Sequence, residues 1–273
     1  MSLPKTEEVK CTSIPGAVDG DITRDRFLDG RIVALQPRSG PRAAIDALLL
    51  AAAIPTKPGA VQHVLEAGTG SGVASLALCE RLADVRVTGV EIQPALVRLA
   101  QENAVLNGID NRLEFIEQDV TLPWSQLEKA GLAREGFDHV AANPPFYSSG
   151  TVRERADPAT AKAYSFKPDE LQKWMRFLTT AVAARGTVTI IHKPEALPEL
   201  LALMEGRFGA INVFPLFPAH GAAASRVLVQ GTKGSRAPFE LLAGMVLHQA
   251  DGSYTTEADA VLRGAEALKL RTS

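Results

Sequence analysis

Two short runs in this 273-residue chain carry residue types that could do chemistry. The first is Val64-Leu65-Glu66-Ala67-Gly68-Thr69-Gly70-Ser71-Gly72, an apolar strand entering a turn with alternating glycines. Residues without a Cβ let the backbone turn sharply and come close to a ligand, and three of them are more than a plain strand-to-helix turn needs. The second run is Asn143-Pro144-Pro145-Phe146. Its prolines stiffen the backbone and have no N–H, leaving carbonyls free to face a pocket. An exocyclic amino or amide nitrogen delocalises its lone pair and is a poor nucleophile. If the Asn143 side-chain oxygen and the Pro144 carbonyl both accept its hydrogens, that lone pair becomes more available. Positioning and electrostatics then carry much of the step, and no strong base is required first. Phe146 can stack on a planar substrate, a contact contributing about 1–3 kcal/mol for a base. Asn-Pro is by itself a common turn initiator; its place after a strand and downstream of the glycine loop gives it a site's context.

The elements that must position these runs alternate from residue 61 onward. Strands are expected at 61–66, 85–92, 113–117, 138–142 and 187–192, and helices at 73–82, 94–107 and 171–184, with another following the fifth strand to about residue 205. Two late β-rich runs, 210–217 and 225–230, are joined through Pro218-Ala219-His220-Gly221 and read as a hairpin. The pattern predicts an α/β fold: a doubly wound, mostly parallel, seven-stranded Rossmann-like sheet with one antiparallel late strand. Ligands then bind outside the carboxyl ends of the strands, where the strand order reverses. Ahead of this lie a polar arm to about residue 25, a short hairpin over 27–36 and a helix over 43–53. The expected organisation is an N-terminal part, 1–55, packed on a core domain, 56–273, with a C-terminal extension.

Composition sets outer bounds. A hydrophobic content of 46% suffices for a large core, and the net charge of −2 neither announces nor excludes a nucleic-acid partner. The longest apolar stretch, 43–54, is interrupted by Asp46 and is too short to span a bilayer. The first residues lack the apolar segment of a signal peptide, and Cys11 and Cys79 lie far apart in sequence, against a disulfide framework. A soluble, cytoplasmic protein without a membrane contact is expected. His139 falls inside a strand and reads as core, as does Cys79, while His192, His220 and His248 lack metal-ligand spacing, so no metal is expected.

The glycine spacing narrows the ligand. A dinucleotide fingerprint counted from Gly68 needs glycine at position 73, which is Val73. Glu91, about 20 residues after the turn, can accept from both hydroxyls of a ribose, which several nucleoside cofactors require. The E-x-G-x-G-x-G run resembles motif I of class I S-adenosylmethionine-dependent methyltransferases, with Glu66 where aspartate is commoner. That resemblance implies S-adenosyl-L-methionine as cofactor, with Glu66, Gly68, Thr69, Gly70 and Gly72 around its methionine part. It further implies Glu91 on the ribose, Ile92 on the adenine, and Asp119 and Val120 at the adenine amino group. Asn143-Pro144-Pro145-Phe146 resembles the (D/N/S)-P-P-(Y/F/W) motif of amino-methyltransferases acting on adenine N6, guanine N2 or glutamine N5. The resemblance makes these four the catalytic residues and brings Asn143 to the cofactor as well.

A third stretch, from Gln36 through Pro37-Arg38-Ser39-Gly40-Pro41-Arg42 to Ile45-Asp46-Ala47-Leu48-Leu49-Leu50-Ala51, resembles the segment preceding motif I in the bacterial tRNA(Val) adenine-N6 methyltransferase family. The likeness continues loosely to Leu247-His248 and Gly252-Ser253-Tyr254-Thr255. It implies that Arg42 and Asp46 lie near the cofactor pocket. Physically, Asp46 in an apolar helix needs a partner, and Arg42 at i−4 is a candidate. The implied partner is tRNA, methylated on an adenine near the anticodon, where a loop base is flipped out at lower cost. Alternatives are glutamine-N5 methylation of a protein such as a release factor, guanine-N2 methylation of rRNA, or a non-catalytic cofactor- or RNA-binding module. Two basic regions could contact RNA. One is 150–176, with Arg153, Arg155, Lys162, Lys167, Lys173 and Arg176 among Tyr147, Tyr164, Phe166 and Trp174. Its acids Glu154, Asp157, Asp169 and Glu170 equally suit a solvated face. The other is the loop 231–236 with Lys233 and Arg236.

Overall fold

The computed structural model describes residues 22–40, 42–55, 60–145 and 169–270. Phe146, Tyr147, the basic residues from Arg153 to Lys167, and Cys11 lie outside them. A hairpin of β1 (Ile22–Phe27) and β2 (Ile32–Pro37) comes first, then helix α1 (Ile45–Ala52). The core follows as β3 (Gln62–Ala67), α2 (Val73–Arg81), β4 (Val85–Glu91), α3 (Pro94–Leu106), β5 (Leu113–Glu117), α4 (Trp124–Lys129) and β6 (Phe137–Ala142). It continues with α5 (Glu170–Ala181), β7 (Val182–His192), α6 (Leu197–Met204), β8 (Phe208–Ala219) and β9 (Arg226–Lys233). Last come β10 (Glu240–Leu241), β11 (Met245–His248) and α7 (Thr256–Leu262).

β3 to β11 form one sheet in the order β10-β8-β9-β7-β6-β3-β4-β5, with β11 also on β8. The chain winds outward from β3 to β5, then returns to β6 on the other side of β3, so the order reverses between β3 and β6. β9 runs antiparallel to both β7 and β8, while β10 and β11 run parallel to β8. The seven expected strands are present, and two short ones extend the sheet to nine. β10 and β11 escape notice in the sequence because two and four residues carry no periodicity.

Both faces of the sheet are covered, which is why its central strands read as nearly continuous apolar runs. Val64 of β3 joins a cluster with α1, α2 and α7, whereas Leu65 and Ala67 join another with α4, α5 and α6. α5 buries Leu171, Trp174, Met175, Phe177, Leu178 and Ala181, the apolar stripe of a helix laid on a sheet. Within the sheet, His139 is buried between Gln62 (2.9 Å) and Thr187 (2.6 Å), a core residue as expected. Cys79 is likewise buried.

Local readings need four corrections. Ile22 to Asp25 belong to β1 rather than to a loose arm, and Leu28–Gly30 is the turn. The fifth core strand starts at Val182, not 187, because α5 ends at Ala181 and the chain turns directly into the sheet. Asp46 is held by Arg226 of β9 at 2.8 Å, not by Arg42. Arg42 precedes the first turn of α1, so the helical i−4 relation does not exist, and it pairs instead with Asp25 at 2.6 Å. Finally, the basic stretch 231–236 is not all loop, because its first three residues end β9. Gly231 and Thr232 are buried in β9, and Lys233 donates to Glu135 and to the Thr179 and Val182 carbonyls at 2.8 Å each. Since β9 is antiparallel, this end of it lies at the rim opposite the carboxyl ends of β3 and β6.

Candidate active site

Register brings the two sequence runs together. Ala67 of β3 pairs with Val90 of β4 on one side and Ala142 of β6 on the other. The residues that follow, Gly68, Glu91 and Asn143, therefore stand side by side at the point where the strand order reverses. Glu91 also pairs with Glu117 of β5, placing Asp119 just beyond the same rim.

The glycine loop is tied down before any ligand is considered. The N–H groups of Gly68 and Thr69 both donate to the Val90 carbonyl, at 2.8 and 3.1 Å. Each loop glycine has positive φ, but the three differ in what a side chain would meet. A Cβ on Gly68 would fall 2.7 Å from the Trp174 ring, and one on Gly72 3.2 Å from both Ala100 and Phe115. At Gly70 (φ +57°) a Cβ would meet nothing within 4 Å. Gly68 and Gly72 thus serve packing, and Gly70 is where the backbone is open to a ligand. Trp174, grouped by sequence with residues able to stack on RNA bases, is instead buried against this loop; Lys173 and Arg176 engage Asp169 and the Thr121 carbonyl.

Two buried carboxylates brace the loop. Glu66 accepts from the hydroxyls of Thr69 (2.9 Å) and Ser75. Burial pushes its carboxyl up to about 7, offset in part by those hydroxyls and reinforced by Glu91. Glu91 accepts from the Gly70 and Gln93 N–H groups, each at 3.0 Å; burial raises its carboxyl too, against the pull of these amides. Beside it Ile92 is 56% exposed, an unusual state for that side chain. Asp119 accepts from Thr121 N–H at 2.8 Å, and Val120 is buried beneath it.

Because the folded state holds a proton on Glu66 that the unfolded chain releases near pH 4.5, stability should fall as pH rises from about 4.5 to 7. Glu66→Gln should lack that portion of the slope and gain on the parent by a few kcal/mol at most above pH 7. Melting temperatures of both proteins across this range check it; identical slopes would refute it.

At the acceptor side, the Asn143 Oδ1 atom is buried and has no hydrogen-bond partner. Leaving a buried acceptor unmade costs about 1–3 kcal/mol, so such an atom calls for a donor. Pro144, next in the chain, is buried too. Of the sequence-selected residues, Glu66, Gly68, Thr69, Gly70, Gly72, Glu91, Ile92, Asp119, Val120, Asn143, Pro144 and Pro145 lie in or beneath this one rim. Arg42 and Asp46 flank it through ion pairs of their own. Among the described residues no cluster could hold a metal ion, and no helix is long and apolar enough to cross a membrane.

Three supporting residues escaped the sequence reading. Asn103 of α3 donates to the Leu35 and Ser71 carbonyls, both at 2.9 Å, and accepts from Leu35 N–H at 2.7 Å, clamping β2 to the glycine loop. Gln36 accepts from Ala43 N–H at 2.7 Å and from Ser71 Oγ at 3.4 Å. Ser75 bonds Glu66. Asn103 had a detectable signal: it occupies the apolar stripe of Leu96, Leu99 and Ala100, where an amide needs partners.

Residues 60–205 match a family described as Methyltransferase domain. The chain is 26% identical over 228 residues to the tRNA1(Val) (adenine(37)-N6)-methyltransferase of Porphyromonas gingivalis, covering 79% of this chain and 85% of that one. It is 30% identical over 176 residues to the protein of the same name from Actinobacillus succinogenes, covering 63% and 69%. A solved structure, a predicted O-methyltransferase from Agrobacterium tumefaciens, superposes with a TM-score of 0.70 at 27% identity, over 84% of this chain and all of that one.

Proposed function

Because this chain belongs to the methyltransferase domain family and is an S-adenosyl-L-methionine-dependent methyltransferase, we propose that its acceptor is the exocyclic N6 of an adenine in tRNA, near the anticodon. The cofactor supplies an electrophilic methyl group when bound. The residues present fit it. Gly70 leaves space for close approach, Glu91 offers its carboxylate for a ribose, and Ile92 presents an apolar side chain for a purine face. Asp119 is positioned by Thr121 for the adenine amino group, and Glu66 holds the loop from below.

The observation that carries the acceptor reading is the unpartnered Asn143 Oδ1. An amino group has two hydrogens, and the neutral Asn143 amide and Pro144 carbonyl are two acceptors on a stiff backbone. Accepting both hydrogens leaves more electron density on the nitrogen and aims its lone pair, a preorganised electrostatic effect. An alcohol acceptor would instead need a base for its single proton, which these two groups do not supply. The relatives named for adenine-37 N6 methylation of tRNA1(Val) favour tRNA over protein glutamine or rRNA guanine. Incubation with methyl-labelled cofactor and either bulk tRNA or total protein tests the choice. Label is expected in tRNA, as N6-methyladenosine after digestion; label confined to protein would overturn it.

A further inference from the structure

The N-terminal hairpin is a sheet of two strands, so β2 has β1 on one edge and must satisfy its other edge differently. Two asparagines do this. Val33 N–H donates to Asn107 Oδ1 at 2.9 Å, and its carbonyl accepts from Asn107 Nδ2 at 2.7 Å. Leu35 exchanges the same two bonds with Asn103, at 2.7 and 2.9 Å. Each side-chain amide thus supplies the reciprocal pair of bonds that a residue of a neighbouring strand would give. The spacing fits, since residues four apart share a helix face and rise about 6 Å, while residues two apart on a strand rise about 6.8 Å. An asparagine has a second amide hydrogen, and here the two differ. That of Asn107 stays within the helix end, on the Asn103 carbonyl at 2.7 Å, whereas that of Asn103 reaches the Ser71 carbonyl at 2.9 Å. Ser71 lies between Gly70 and Gly72, and its hydroxyl donates to Gln36 of β2 at 3.4 Å. Gln36 also holds Ala43 N–H at 2.7 Å and Asp25 of β1 at 2.7 Å. Asn103, Gln36 and Ser71 are 0%, 1% and 4% exposed, and a buried polar network completed in this way specifies one arrangement.

We propose that Asn103 is a positioning residue for cofactor binding, and that the Asn103–Asn107 ladder couples the hairpin to the open backbone of Gly70 through Ser71. The inference rests on the glycine loop being the cofactor site and is indifferent to which molecule accepts the methyl group. With the hairpin seated, Ser71 is held by its carbonyl and its hydroxyl together. A displaced hairpin withdraws Gln36 from the hydroxyl and leaves the Asn103 amide without Leu35 to orient it toward the carbonyl. Both restraints next to Gly70 then weaken at once. Coupling of this kind is reciprocal: whatever affinity the seated hairpin lends the cofactor, the bound cofactor returns as stability of the hairpin.

The test measures calorimetric binding of S-adenosyl-L-methionine, below each melting temperature, to the parent, Asn103→Ala and Asn107→Ala. Asn103→Ala should raise Kd about 10–100-fold, and Asn107→Ala, whose bonds go to Val33 and Asn103 rather than to the loop, about fivefold, both within the usual range for coupled sites. Single-turnover rates at saturating cofactor, with whichever acceptor fraction the parent labels, should stay within about threefold, because the groups facing the acceptor are untouched. A merely structural role would lower the melting temperature and leave Kd alone. Parental Kd in folded Asn103→Ala would therefore overturn the proposal, as would a loss confined to the transfer rate. Hydrogen exchange of the parent gives a reading that needs no variant. Saturating cofactor should slow the Leu35 amide at least about fivefold more than the Leu242 amide, which bonds Val213 in the far part of the sheet; equal or absent slowing would overturn the coupling. Should Asn103→Ala fail to fold, Asn107→Ala and the exchange data are read against the same criteria. Parental cofactor affinity in Gly70→Val would instead refute the loop as cofactor site, and label in protein would refute only the tRNA reading.

Discussion

Replacing Asn143 by alanine should lower the rate of methyl transfer on the order of 10²–10³-fold, the range observed when a single preorganised polar group is removed from a reacting centre. Cofactor affinity should stay within about threefold. Oδ1 accepts no hydrogen bond from the protein, so its removal breaks no bond of the fold and relieves a buried acceptor. The loss falls on the state in which an acceptor N–H group is present, and differential binding of that state is what accelerates the reaction. Single-turnover rates together with calorimetric cofactor binding separate the two effects. Asn143→Asp should retain more activity than alanine, since a carboxylate also accepts. Unchanged turnover in Asn143→Ala would remove the basis of the proposed function.

Gly70→Val should weaken cofactor binding at least about 100-fold while leaving the protein folded. Two effects combine at this position. The backbone at φ +57° costs an L-residue about 1–2 kcal/mol, and a β-branched one more. The open space on the Gly70 face would then be filled by a branched side chain where a ligand must approach. The N–H that donates to Glu91 would be displaced with it. By contrast, Gly68→Val would strike the Trp174 ring in the core and damage folding itself. Calorimetry and thermal melting of both variants distinguish these cases. Gly70→Val with parental cofactor affinity would show that the ligand does not cross this face.

The two motifs and the alternation around them were legible because each depends on nearby residues. Gly68, Gly70 and Gly72 announce a backbone conformation that other residues avoid, and the apolar runs of β3, β4 and β6 announce strands covered on both faces. What escaped notice had other causes. The two- and four-residue strands β10 and β11 exist because β8 offers an edge to pair with. The 22–25 segment joins β1 because β2 does the same for it. Lys233 and Trp174 looked like candidates for RNA contact by residue type. In the fold, one caps the end of α5 and the other packs on Gly68.

The amino-acid sequence alone determined the class of fold, the glycine loop with its carboxylates and the amide–proline turn, since these follow from residue type and short spacing. Only the tertiary structure decided how they combine. Parallel pairing of Ala67 with both Val90 and Ala142 sets Gly68, Glu91 and Asn143 on one rim, although 75 positions separate the first from the last. It also reassigned Asp46 from Arg42 to Arg226, 180 positions away. It made one glycine of three the open one. Register and burial are properties of the assembled sheet, and no local pattern encodes them.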